Sequence, residues 1–227
     1  MAAGLGTRLR PLTERWAKSV LPIDGRPVLA TLLRELAAAD CARVWLVTGH
    51  LADQVEALAG DGTAFGVGIR SVRQPEALGS ADAVQRALDA GAELPLVVSA
   101  ADTVYSRGDV AHFVRAFGGS GAAGAIAVRT DPGPDAERQA VRRHGERIVR
   151  VYDGPEAGEW TPAPLWGLDR AVAARLCQDR EPYELGNAYQ AAIDSGEPVT
   201  AVEIGKTRDL TYPLDLMEEN FSYLRAI

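Results

Sequence analysis

Short, wholly apolar runs recur through this chain with room for a helix between them, and that alternation narrows its possible folds more than any other feature. Val44-Trp45-Leu46-Val47, Leu96-Val97-Val98 and Ala125-Ile126-Ala127-Val128 lack the alternate polar residues of a strand with one wet face. Each is expected as a strand buried on both faces of a largely parallel sheet. Helical stripes separate them. Leu29, Leu32, Leu33 and Leu36 share one face, and Ala83, Val84, Ala87 and Leu88 share another behind Ser80 as N-cap. Val110, Phe113, Val114 and Phe117 form a third, which Gly118-Gly119 is expected to end. The alternation predicts an α/β layered fold.

After Asp131 the texture changes. Pro132-Gly133-Pro134 breaks the pattern, and Ala140–Arg143 and Arg147–Val151 flank His144-Gly145 as a hairpin. A strand at Leu165–Leu168 leads to a helix from Val172 to Cys177. A helix over Glu184–Ser195 and a strand over Val199–Ile204 follow. The last helix begins at Pro213 and carries Leu214, Met217 and Phe221 at spacings of three and four. No internal repeat, low-complexity tract or linker interrupts the chain, so residues 1–227 are expected as a single domain.

Composition excludes several classes. With 24 Lys+Arg against 31 Asp+Glu among 227 residues, the net charge is −7, which argues against nucleic acid as a partner while leaving room for a local basic pocket. The 47% hydrophobic content excludes disorder. No apolar run reaches the ~18 residues of a membrane span, and the start lacks a signal-peptide h-region, so a cytoplasmic protein is expected. Cys41 and Cys177 form no CxxC, and His50, His112 and His144 make no catalytic constellation.

One segment carries chemistry. Ala2-Ala3-Gly4-Leu5-Gly6-Thr7-Arg8-Leu9-Arg10-Pro11-Leu12-Thr13 is followed by Lys18-Ser19-Val20-Leu21-Pro22-Ile23-Asp24-Gly25-Arg26-Pro27. Glycines one residue apart let backbone N–H groups converge on an anion, and Arg8, Arg10 and Lys18 supply charge. A Walker loop would need Gly-Lys-Ser/Thr after the second glycine, and a dinucleotide fingerprint would need a small residue where Leu9 stands. Neither is present.

The string closely resembles the signature of the sugar-phosphate nucleotidylyltransferases (NDP-sugar pyrophosphorylases), over residues 2–27, with Ala17 replacing the usual Pro before the Lys. The resemblance is to the glucose-1-phosphate thymidylyltransferase and uridylyltransferase type. It implies a three-layer Rossmann-like fold with a mostly parallel mixed sheet. Residues 1–130 would form a nucleotide-binding half and 131–227 a sugar-phosphate half. The family's first buried strand precedes the Ala-Ala-Gly loop; here Met1 stands where it would end, so that strand is expected to be missing.

The resemblance also implies roles. Ala3, Gly4, Gly6 and Thr7 would cradle the phosphates, Arg8 would hold the leaving pyrophosphate, and Lys18 would bridge the α-phosphate and the acceptor phosphate. Gln74 would read the base, its amide offering the donor and acceptor that uracil or thymine requires, and Gly79 would let the base lie against the backbone. Asp102 and Asp209 would bind Mg²⁺, for which carboxylate oxygens are suitable ligands. Glu184 would bind sugar hydroxyls. The substrates would be UTP or dTTP and a sugar 1-phosphate, handled by a monomer or small homo-oligomer.

The acceptor side departs from the family. Tyr152-Asp153-Gly154 stands at Glu-Lys-Pro, Gln139-Ala140 at Tyr-Gly, Pro162-Ala163-Pro164 at Asn-Ala-Gly, and Asn187 at an Asp. A cytidylyltransferase using a non-sugar phosphate such as phosphocholine, or a nucleotide-binding regulatory paralogue, stands as an alternative.

Overall fold

The structure, a computed structural model, describes residues 1–130, 140–153, 160–178 and 180–221. In chain order, β1 (Pro22–Ile23), β2 (Arg26–Pro27) and α1 (Val28–Ala38) precede β3 (Arg43–Thr48), α2 (Ala52–Ala59) and β4 (Gly68–Arg73). Then come α3 (Ser80–Asp89), β5 (Leu96–Ser99), β6 (Thr103–Val104), α4 (Asp109–Ser120) and β7 (Gly124–Arg129). The hairpin strands β8 (Ala140–His144) and β9 (Arg147–Asp153) lead to β10 (Thr161–Leu168), α5 (Arg170–Ala173) and α6 (Leu185–Asp194). The chain continues through β11 (Val199–Glu203), β12 (Arg208–Asp209) and α7 (Pro213–Glu218). It divides into two compact units, neither a continuous stretch: Met1–Ala77 with Ala100–Gly108 and Thr207–Ile227, and Leu78–Ser99 with Asp109–Lys206.

In the first unit β3 and β4 pair in parallel from Arg43↔Gly68 to Thr48↔Arg73. The sequence pattern shows β3 but hides β4, whose run Gly-Ile-Arg-Ser-Val-Arg is mostly polar and exposed. Ala2 forms an isolated parallel bridge with Thr48, and the Met1 carbonyl accepts from the Ala101 N–H at 2.8 Å. β1 and β2 form a tight hairpin because Asp24 and Gly25 both take positive φ (51° and 70°), the geometry that matches strand twist. Leu9, Leu21, Ile23, Val28 and Leu210 pack as its buried cluster. Asn220, 6% exposed, clasps the hairpin: its Oδ1 accepts from Gly25 N–H and its Nδ2 donates to the Pro22 carbonyl, both at 2.8 Å.

The second unit holds a six-stranded mixed sheet in the order β5-β10-β7-β11-β9-β8. β10 runs antiparallel to both β5 and β7, β11 runs parallel to β7, and β9 and β8 continue antiparallel. Hence β5, β7, β11 and β8 share one direction. β7 is buried along its whole length, as its unbroken apolar run requires. Tyr189 anchors this core from α6. Its ring meets Trp166 edge-on at 4.9 Å, and its buried hydroxyl donates to the Gly167 carbonyl at 2.5 Å.

Two helix ends differ from the sequence pattern. α4 runs through Gly118-Gly119 to Ser120 and stops before Gly121, whose φ of +64° is the left-handed conformation that terminates helices. α5 stops at Ala173 instead of reaching Cys177, which itself takes φ +56° and cannot continue a right-handed helix.

Gly167 is packed against Phe117 so closely that a Cβ there would lie 2.5 Å from the ring. Gly167→Ala is therefore expected to destabilise the chain by about 1–3 kcal/mol, the range for overpacked cores, measured by chemical denaturation. An unchanged midpoint would show that Phe117 moves aside freely.

Candidate active site

The Gly-rich segment folds as three short 3₁₀ turns, Thr7–Leu9, Leu12–Glu14 and Lys18–Val20. Gly6 is left-handed (φ +61°), and a Cβ on it would sit 2.8 Å from Thr13 Cγ2. Glycine is thus required there by the protein itself. Gly4 is different: a Cβ would meet nothing within 4 Å and its φ is ordinary. Space is open at Gly4, on the face of the loop that borders a cleft.

That cleft has a volume of about 260 Å³. Gly4, Gly6, Thr7, Arg8, Lys18 and Asp102 line it, with Ser19, Ala101, Leu210 and Thr211 completing the wall. Lys18 Nζ lies 2.6 Å from Asp102 Oδ2, with side-chain exposures of 19% and 31%. Such a half-buried pair contributes little to stability; its effect is to hold an ammonium and a carboxylate at one point of the wall. Asp102 immediately precedes β6, and β12 pairs antiparallel with β6, placing Asp209 opposite Thr103. Asp209 is thus one position out of register with Asp102 and is not among the residues that line the cleft. Asp209 Oδ1 accepts from the Thr211 hydroxyl at 3.1 Å.

Asp102, on the cleft wall, is the kind of ligand Mg²⁺ takes, since that ion usually binds one or two protein carboxylates and fills its octahedron with water and substrate phosphates. Among the described residues there is no group of three or more His, Cys, Asp or Glu that could hold a metal ion.

A family model of the nucleotidyl transferases matches residues 1–211. The chain belongs to that family. Among relatives of this chain, the glucose-1-phosphate thymidylyltransferase of Streptomyces antibioticus is 30% identical over 100% of this chain and 66% of its own. The bifunctional protein GlmU of Acidovorax ebreus is 32% identical over 100% of this chain and 50% of its own. The chain thus spans about half to two-thirds of the length of the curated relatives it matches. A solved structure of a candidate glucose-1-phosphate thymidylyltransferase from Bacillus anthracis superposes with a TM-score of 0.85, at 22% identity over 98% of this chain and 92% of that one. The fold is therefore the Rossmann-like fold expected from the sequence.

The remaining expected site residues fall outside the cleft wall. Ala3, whose carbonyl faces Gly49, lies in the same unit. So does Gln74, which follows β4, is 5% exposed, and donates its N–H to the Thr48 carbonyl at 2.7 Å. Gly79 and Glu184 belong to the second unit. Gly79 takes φ +107°, and a Cβ on it would lie 2.3 Å from the Tyr183 carbonyl oxygen. A close backbone approach therefore accounts for that glycine without any ligand. Glu184 caps α6 and accepts from the Ser80 hydroxyl at 2.7 Å. The side chain of Asp153 lies outside the described residues.

Sequence reasoning gave no role to the residues that brace the loop. Thr13, 2% exposed, donates its hydroxyl to the Gly6 carbonyl at 2.8 Å. His50 Nε2 lies 2.7 Å from the Thr13 carbonyl, so that nitrogen carries the proton. Gln54 accepts from the Ala17 N–H at 2.9 Å and donates to the Arg15 carbonyl at 2.7 Å. Thr13 sits inside the motif, but Gln54 carries no local signal.

The two glycines separate by experiment. Gly6→Ala is expected to lower stability by about 1–2 kcal/mol, the cost of left-handed backbone in a residue with a Cβ. Gly4→Ala is expected to melt like the wild type and to lose nucleotide affinity. A Gly4→Ala protein with unchanged nucleotide binding by calorimetry would show that nothing approaches the backbone there.

Proposed function

We propose that this chain transfers a nucleotidyl group from a nucleoside triphosphate to a sugar 1-phosphate, releasing pyrophosphate and forming an NDP-sugar. The observation that carries the reading is the meeting of open glycine backbone, Arg8, Lys18 and Asp102 in one cleft, with Lys18 and Asp102 2.6 Å apart. Family membership and relatives named as thymidylyltransferases support it.

The nucleophile, a phosphate oxygen of the acceptor, is already anionic, so no general base is needed. Catalysis then consists of aligning attacking and leaving oxygens and neutralising the charge that develops on the transferring group. The amides of Gly4, Gly6 and Thr7 bind phosphoryl oxygens without reorganising, because the loop is already braced. Arg8 holds the β- and γ-phosphates that depart. Lys18 neutralises the α-phosphoryl group and its attacker. Asp102 positions Lys18 and, with Asp209, would hold Mg²⁺, which when bound supplies Lewis-acid polarisation of the α-phosphoryl oxygens. Gln74 recognises a uracil or thymine edge, making UTP or dTTP the donor.

The test is pyrophosphate release from UTP, dTTP, CTP and GTP, each with a panel of sugar 1-phosphates and phosphocholine, in the presence of Mg²⁺. Release with UTP or dTTP and a sugar 1-phosphate is expected. Nucleotide binding without release from any pair would overturn catalysis in favour of a regulatory role, and release from CTP with phosphocholine alone would overturn the donor and acceptor assignment. Lys18→Ala and Asp102→Ala should each lower kcat on the order of 10²–10³-fold, as loss of a transition-state charge contact does. Full turnover in either variant would remove that residue from the mechanism.

A further inference from the structure

Arg129 is the last residue of β7 and is only 8% exposed. Its Nε–H is buried without an acceptor, and no ion pair engages its guanidinium among the described residues. A buried donor without an acceptor is rare in folded proteins, so the Nε–H points to a partner.

The surroundings say what kind. The acid on the neighbouring strand is unsuitable: Glu203 of β11 sits opposite Val128, hence on the other face of the sheet, and is held by Arg143 at 2.7 Å. On Arg129's own face, β10 places Thr161 directly opposite, with Cβ atoms about 5 Å apart in such a pair. The half-buried Thr161 hydroxyl makes no hydrogen bond among the described residues. The buried Nε–H of Arg129 and the Thr161 hydroxyl therefore stand side by side with no acceptor among the described residues, and with the rest of the guanidinium they fit the several oxygens of an oxyanion. Position agrees. β5, β7 and β11 run in one direction, and Arg129 ends its strand at the carboxyl edge, where α/β sheets take ligands.

We propose that Arg129 and Thr161 form a phosphoryl-binding subsite in the second unit. Two sources share that chemistry: the phosphate of the acceptor, which rests on the function proposed above, and free phosphate acting as an effector.

The test is a titration of the full ¹⁵N-labelled chain with inorganic phosphate and with glucose 1-phosphate, following arginine Nε–H signals by NMR. The Arg129 signal is identified by its loss in Arg129→Lys. A saturable shift of that signal is expected, with affinity weakened by about tenfold in Thr161→Val, the effect of losing one good hydrogen bond. No shift with either ligand would overturn the subsite. If the shift is seen, Arg129→Lys separates the sources. A KM for the sugar phosphate raised by at least about tenfold, with the KM for nucleotide unchanged, identifies the acceptor. Unchanged KM values with a lost phosphate effect on rate identify an effector. The titration needs no turnover, so a chain inactive with every substrate pair, yet responsive at Arg129, would remove the acceptor as the source and keep the subsite. Arg129→Met is expected to melt no lower than the wild type in phosphate-free buffer, because it removes a buried donor that has no acceptor. A lower melting temperature would instead mark a structural role and overturn the proposal.

Discussion

Everything proposed for the cleft depends on holding still a stretch of chain that has no regular structure of its own. From Ala3 to Leu21 the backbone passes through three 3₁₀ turns and no strand, so no ladder fixes its amides. The fixing comes from outside, almost entirely from the corner that follows β3. Val47 accepts from Ala2 N–H at 2.7 Å, His50 reaches the Thr13 carbonyl, and Gln54 grips both Arg15 and Ala17. Thr13 closes the loop on itself through Gly6. Each bond is worth about 1 kcal/mol net, but together they leave the loop few alternatives. The corner is itself constrained. Gly49 approaches Ala3 so closely that a Cβ would lie 2.8 Å from its carbonyl oxygen, and Leu51 is held at φ +52°, an uncommon conformation for a leucine.

Preorganisation of this kind matters most where charge is high. A triphosphate brings several negative charges to a chain whose net charge is already −7, so bulk electrostatics oppose binding and the local field must reverse the sign. On the proposed reading, Arg8 and Lys18 on the cleft wall would supply that positive charge. The Lys18–Asp102 pair adds a second property. In the free protein the carboxylate keeps the ammonium in place, and on the proposed reading a divalent cation drawn to Asp102 would release Lys18 toward phosphate. Two half-exposed charges that gain little from one another can exchange partners at little cost.

The layered α/β class was legible because buried strands carry unbroken apolar runs, as β3, β5 and β7 do. The loop's conformation was legible at Gly6, whose left-handed backbone and contact with Thr13 require glycine. Less visible were elements stabilised by partners distant in sequence. β4 is an exposed, arginine-bearing strand whose existence depends on β3, and β6 and β12 are two-residue strands that exist only as each other's partners. Gly79 shows that one glycine can answer to a constraint its motif does not reveal. Its motif suggested a ligand, yet the Tyr183 backbone already occupies the space a Cβ would take. Glycine marks close approach; the sequence cannot say by what.

The departures from the family pattern look different once the packing is known. Ala17 stands where relatives carry Pro, and taken alone it weakens the resemblance. In the fold, however, its N–H is the donor that Gln54 accepts at 2.9 Å, and a proline has no N–H to give. Proline would rigidify the approach to Lys18 through its ring; here a side chain from α2 does so through a hydrogen bond, and the same Gln54 secures Arg15 two residues earlier. The change at Ala17 therefore relocates a constraint without removing it. The same argument bears on the acceptor side. On the proposed reading, a cation absent from one position of the acceptor site would be replaced by Arg129, whose buried Nε–H has no acceptor. What the chemistry conserves is the charge and its rigidity, and a fold can supply both from more than one strand.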